Sequence, residues 1–463
     1  MTTIDSANHL NSLNSLISNS GVDRRTFIKG AGAAALAGAA AIGSGSADAA
    51  EPASHTTPPG GKYDFDTPYN RMGSNCARWC TPASRYPGGE FRYGLGVATM
   101  DFECAPCITE ALSERVGHHS WGYMSTTDSL RDSIVQWVGQ RHGQDIDPEI
   151  ITLSDGIYPG MIAAMRAFIP AHSKVLLNTP VYTGFYSMAR AAHVQTVDSP
   201  LVRRNGRYEI DWEDLEAKMT PDVRAMIVCN PQNPTGNVWT EDELLRIGRL
   251  CLEHNIVVLS DEIHCDFVRP GHRYVPFSSL PDEAVVNNSL TFNSISKTFN
   301  LAGMKNAYYY SRSPVLLARV NQFHRAELST LGVVANEAAY NEGADWFDQA
   351  NTYIDGNHSF MENYVRNNMP MVEYTRNEGT FMNFLDFSRV MEAVDAEGRA
   401  KAEGKDTAEE YFQDWLVHES GAYLNAGSSY GTGGAGNMRV NVASSRRMLR
   451  EALESMATAI GKV

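Results

Sequence analysis

Four short segments constrain the fold more than any other feature of the chain. KVLLNTP (174–180), AMIVCNP (225–231), NIVVLSDE (255–262) and LTFNSIS (290–296) each carry an apolar run in place of an in–out alternation. A strand wetted on one face alternates every second residue, whereas a continuous run marks a strand covered on both faces, as in parallel sheets. Between the second and third runs, Thr240-Glu241-Asp242-Glu243 has the form of a capping box, and Leu244, Ile247 and Cys251 follow at helical spacing. Strand, helix and strand in that order predict a parallel crossover, hence an α/β domain with a large, mostly parallel sheet. FMNFLDF (381–387) and NMRVNVA (437–443), set in helical and charged sequence, predict a smaller α+β domain. The expected division is 63–105 as a segment contributing to the small domain and the active site, 106–335 as the large domain and 336–463 as the small one.

Sheets of this kind bind ligands beyond the carboxyl ends of their strands. Tyr182, Asn233, Asp261 and Lys297 fall at or just past four such ends. Lys297 stands in SISKTFNLAG among the hydroxyls of Ser294, Ser296 and Thr298. An unpaired ammonium is costly to bury. A lysine joined as an imine to an aldehyde cofactor carries no such ammonium, and the hydroxyls beside it suit a phosphate. Asp261 then has a task as well, pairing with a protonated pyridine nitrogen, which is the setting that carbanion chemistry on pyridoxal phosphate requires.

The first 49 residues follow a different logic. Arg24 and Arg25 in DRRTFIK precede GAGAAALAGAAAI (30–42), a run too short and too weakly apolar to span a bilayer but suited to a signal sequence. Ala47-Asp48-Ala49 supplies small residues for cleavage. Residues 1–49 are expected to be a twin-arginine signal peptide read by the translocation machinery, and 50–62 a Pro- and Gly-rich linker. That pathway carries folded proteins, as an enzyme loaded with its cofactor before export would need. The mature chain is expected in the periplasm or cell envelope, with no stable membrane span. A formal net charge of −15 argues against a nucleic-acid partner, which needs clustered Lys and Arg. Cys229, Cys251 and Cys265 sit in apolar runs and read as buried thiols. Cys76, Cys80, Cys104 and Cys107 have loose spacing and no supporting histidine nearby. They read as independent residues, with one disulfide as the alternative at an oxidising destination and no metal site expected.

The chain resembles the fold-type I pyridoxal-phosphate enzymes of the class I/II aminotransferase superfamily, and more narrowly the branch of cystathionine β-lyases and C-S lyases that includes the maltose-regulon modulator. The resemblance rests on YNRMGSNCARW, ATMDF, SWGYM, NTPVYTGF, NPQNPTGNVWT, SDEIHCDF, SISKTFNLAGMK, EGTFMNFLDF and NMRVNVA, which run in the family's order from about residue 63 to 443. It implies that Lys297 binds the cofactor and moves the α-proton, that Asp261 holds the pyridine nitrogen and that Asn233 bonds the phenolic oxygen, with His264 close by. Tyr182 is implied to stack on the ring. The resemblance puts Gly156, Ile157, Ser294 and Ser296 around the phosphate, together with Tyr123 reaching across a homodimer. It also implies that Arg439 clamps the substrate carboxylate, with Ala98 and Thr99 beside it.

The chain departs from the family's W-V-A-D-M-D-F at Gly96 and Thr99, so a roomier and less negative substrate pocket is expected. Cys80 and Phe384 replace a usual aspartate and tryptophan, and Lys305 stands where many aminotransferases place an arginine. Charged residues 396–410 read as a solvated helical insertion. The leading expectation is a C-S β-lyase that splits an S-substituted cysteine-like amino acid into pyruvate, ammonia and a thiol. Aminotransfer on an α-amino acid is the alternative, and a non-catalytic regulatory binding protein a remoter one.

Overall fold

The computed structural model describes residues 63–125 and 128–463. The arginine pair, the apolar run, the cleavage site and the linker of the expected signal lie outside the described residues. Seven strands build the main sheet: β1 (Ile151–Ser154), β2 (Lys174–Thr179), β3 (Gln195–Pro200), β4 (Val223–Cys229), β5 (Val257–Asp261), β6 (Ser289–Asn293) and β7 (Ala307–Tyr310). Their spatial order is β1-β7-β6-β5-β4-β2-β3, and only β7 runs against its neighbours. The four apolar runs are the central strands β2, β4, β5 and β6. All five residues of β6 are buried, as are six of the seven in β4. Two separate apolar clusters explain why: Val175, Ala225, Leu259 and Leu290 pack on one face, Leu176, Met226 and Val258 on the other.

The helix Glu241–Glu253 joins β4 to β5 and opens with the expected capping box, both reciprocal bonds of Thr240 and Glu243 being present. It buries Leu244, Ile247 and Cys251. A second, antiparallel sheet contains Met382–Asp386, Asn437–Asn441 and Asn425–Ala426. Tyr93 and Gly94, far upstream, pair with Ala422 and Tyr423, so the N-terminal segment is tied to the C-terminal part of the chain. The charged insertion contains a helix, Ala396–Glu403, that Gly404 ends in the left-handed conformation. It is not wholly solvated, because Ala396 and Ala400 are buried and, just beyond it, so is Glu409, whose Oε1 accepts from Gly436 N at 2.6 Å. Among the described residues no helix is long and apolar enough to cross a membrane.

Cys229, Cys251 and Cys265 are buried and burial raises the pKa of each thiol, while Cys76, Cys80, Cys104 and Cys107 are half-buried; all seven are unpaired. No disulfide joins the outer four in this structure.

Candidate active site

The carboxyl ends of β2, β4, β5 and β6 border one cavity of about 510 Å³. Lys297, Asp261, Asn233, Tyr182, His264, Gly156, Ile157, Ser296, Arg439 and Ala98, all singled out by sequence, line it. β5 ends on Asp261, in register beside Cys229 of β4, so its carboxyl enters the cavity from the floor of the sheet. It accepts a bond from Ile263 N at 3.3 Å, and burial lifts its pKa from 3.8 to about 7. A buried acid without a cation bonded to it is half-ready to ionise, and a cationic ring nitrogen would complete it.

After β6 the chain turns at Ser294 into the four-residue helix Ile295–Thr298. Lys297 Nζ donates to Ala98 O at 2.7 Å. Burial, then the charge of Arg439, lowers its pKa from 10.5 to about 8, with Asp261 pulling the other way. At neutral pH the ammonium still predominates, but the lysine gives up its proton far more readily than a free lysine does. His264 is buried among the same cations, its pKa falls well below 6.5, and its Nδ1 has no hydrogen-bond partner.

Arg439 is held by strand pairing opposite Asn425 and Phe384. Its Nη1 donates to Asn233 Oδ1 at 3.1 Å and its Nη2 to Gly96 O at 2.8 Å, while Nε has no partner. A buried guanidinium with unused donors fits a carboxylate. Gly156, at φ 145°, takes a conformation that a side chain resists and caps the helix Ile157–Phe168. The N-H groups of that helix start, with Ser296 and Lys305 on the same wall, suit a phosphate. Acidic floor, lysine, amide, unpartnered imidazole nitrogen and anion cradle together match the donors and acceptors of pyridoxal phosphate.

Three expected residues stand elsewhere. Thr99 points away from the cavity: its Oγ1 accepts from Arg71 Nη1 at 3.4 Å, and its carbonyl is taken by Arg78 Nη1 and Asn441 Nδ2. The stretch around it is fixed by those partners, so the substrate contact assigned to Thr99 is corrected to a structural one. Ser294 is buried beneath the cavity, where its hydroxyl donates to Asn306 O and accepts from Ser296 N, both bonds serving the turn. Tyr123 lies fully exposed beside a separate cavity of about 910 Å³.

The roomier pocket expected at Gly96 is also corrected. A Cβ built on Gly96 would collide with Asn425 Oδ1 and press on the Tyr423 ring, so the room directly beside Gly96 is taken by those side chains. Asn425 and Tyr430 line the cavity, Asn425 Nδ2 donating to Tyr430 Oη at 3.2 Å, and the Arg439 guanidinium lies 5.1 Å from the Tyr430 ring centre. Sequence reasoning passed over both residues. LNAGSSYGTGG reads as a turn-rich connection, and only the pairing of Asn425 with Arg439 brings it to the site.

Residues 93–456 match the family model of aminotransferase class I and II. Cystathionine beta-lyase PatB of Bacillus subtilis is 34% identical over 402 residues, covering 86% of this chain and all of that one. The crystal structure of cystalysin from Treponema denticola, which contains a pyridoxal 5'-phosphate cofactor, is similar with a TM-score of 0.78 at 28% identity, covering 86% of this chain and 99% of that one. The crystal structure of a PLP-bound "putative aminotransferase" from Clostridium difficile gives a TM-score of 0.79 at 32% identity over 86% of this chain and all of that one. With the family model covering most of the chain and the site built at the strand ends as described, the chain belongs to the aminotransferase class I and II family.

Proposed function

We propose that the protein is a pyridoxal-phosphate-dependent C-S β-lyase that cleaves an S-substituted cysteine-like amino acid to pyruvate, ammonia and a thiol. The observation that carries the reading is one buried cavity in which Lys297, Asp261 and Arg439 meet. When bound, pyridoxal phosphate supplies an electron-withdrawing ring that stores the charge left at the substrate's α-carbon. Arg439 holds the α-carboxylate through its unused guanidinium donors. Lys297 Nζ, whose pKa burial and then Arg439 lower to about 8, would take the α-proton as the free amine and hand it on. Asp261, as a carboxylate on the cavity floor, would hold a proton on the ring nitrogen. Asn233 would offer its amide N–H to the phenolic oxygen, and Tyr182, on the cavity wall, would cover the ring. Loss of the β-thiolate and hydrolysis then give the products.

The similarity to cystathionine beta-lyase PatB supports elimination, while the Clostridium difficile relative keeps aminotransfer as the second reading. Incubating the holoenzyme with cystathionine, and separately with an amino acid plus 2-oxoglutarate, decides between them. Thiol and pyruvate are expected in the first; an exchanged amino group in the second without thiol release in the first would replace lyase by transferase.

The N-terminal reading stands as part of the proposal: export through the twin-arginine machinery, with Arg24 and Arg25 required. Normal export after both become lysine would end it. The exposure of Trp121 and Tyr123 supports a homodimer in which Tyr123 reaches the partner's phosphate. A protein sedimenting as a monomer with full activity would refute that. The seven-stranded sheet within residues 151–310 and the three-stranded sheet within residues 382–441 support a large and a small lobe.

A further inference from the structure

The helix that carries Lys297 is only four residues long, too short to fix its own direction through backbone bonds. At its start, Ser294 caps it and is tied to Asn306 O. At its end, Thr298 Oγ1 donates to Asp266 Oδ2 at 2.6 Å. Asp266 is almost wholly buried and takes two more donors from one helix, Asp128–His142: Trp137 Nε1 at 3.3 Å to each oxygen, and His142 Nε2 at 2.9 Å. Trp137 is itself wedged in the core, stacked on Tyr340 at 5.1 Å between ring centres and edge-on to Phe299 at 5.3 Å. Burial alone would raise the Asp266 pKa, yet the donors at His142, Thr298 and Trp137 bring it below the ordinary value. The anion is therefore built in.

His142, Cys265 and Asp266 also bring their ligand atoms within 4.8 Å of one another, the spacing of a metal triad. Their bonding is already spent otherwise. Asp266 serves three donors, and the Cys265 thiol, whose pKa burial raises, accepts from Asn293 Nδ2 at 3.2 Å. The cluster is a hydrogen-bonded clamp.

We propose that Asp266 is a positioning residue for Lys297: by gripping Thr298 from the helix Asp128–His142, it sets the line along which Lys297 Nζ enters the cavity. The inference rests on Lys297 being the acting lysine. Asp261 ends β5 and lines the cavity, and Asp266, in the turn five residues on, reaches behind the lysine turn. The two sides of the reacting centre are thus referred to one stretch of backbone. A lysine set wrongly by a fraction of an ångström loses rate while the carboxylate clamp at Arg439 keeps its hold on substrate.

The test uses the holoenzyme. Thr298→Val removes one bond at constant shape. It is expected to lower kcat roughly 10- to 100-fold, to leave KM within about twofold, and to reduce the visible circular dichroism of the bound cofactor. Melting should stay close to wild type, and Thr298→Ser should restore kcat and the spectrum. Thr298→Ala serves the same reading if the valine variant does not accumulate. Unchanged kcat and visible circular dichroism in the variant that folds would overturn the proposal, as would a kcat loss that Thr298→Ser fails to restore. Full turnover in Lys297→Ala would instead overturn the assignment on which it rests.

Discussion

Asn425 occupies the space that a side chain at Gly96 would need, and Gly96 O in turn accepts from Arg439 Nη2 at 2.8 Å. Backbone and amide therefore close one wall of the cavity between them. Gly96→Ala is expected to cost about 1–3 kcal/mol of stability through overpacking, and Asn425→Ala to relieve most of that loss in the double variant. Chemical denaturation of the four proteins measures the coupling, and additive losses would disprove the shared space. Asn425→Ala alone should raise kcat/KM for cysteine conjugates with bulky S-substituents relative to small ones by roughly tenfold.

Lys297 sets a pH dependence for cofactor capture. Its pKa is lowered to about 8, first by burial and then by Arg439. Only the neutral amine attacks an aldehyde, so below pH 8 the attacking form grows about tenfold per pH unit and above it levels off. Protein stripped of cofactor should recapture pyridoxal phosphate with that profile, followed by visible absorbance. A rate that is flat from pH 6 to 9 would contradict the assignment.

Asp261 trades stability for binding. Its folded pKa stands at about 7 against an ordinary 3.8. A raised folded pKa means that the favourable contribution is complete below about pH 4 and is lost as pH rises through 7, where the buried carboxylate costs on the order of a few kcal/mol. Cofactor-free Asp261→Asn should therefore melt above cofactor-free wild type at pH 8, with the gap closing toward pH 4. With cofactor bound the order should reverse, and kcat/KM should fall by two or more orders of magnitude. Thermal melts with and without pyridoxal phosphate read both signs.

Arg439 donates to Asn233 and to Gly96 O while lying over the Tyr430 ring, a set of contacts that needs a planar fork. Arg439→Lys keeps the charge and loses the fork. It is expected to weaken kcat/KM by roughly 10- to 100-fold, in line with about 1.5–3 kcal/mol for a charge-assisted bond. Steady-state kinetics on any accepted substrate checks this, and an unchanged value would remove Arg439 from the carboxylate site.

The sequence by itself determined the sheet and most of the chemistry. Apolar runs covered on both faces are a local property, and residues at the ends of such strands are carried to one crevice by topology alone. Lys297, Asp261 and Asn233 were legible for that reason. Ser294, Thr99, Asn425 and Asp266 were not, because each lies in a turn, a non-strand stretch or a short pairing. There the direction of a side chain is set by partners distant in sequence. Thr99 turns toward Arg71 and not into the cavity. Gly96 reads as a gap until Asn425 is seen to fill it. Asp266 passes as one more acid until Thr298, Trp137 and His142 converge on it. Periodicity fixes which face of a strand is buried, but only packing decides which atom fills a space where the backbone has no period.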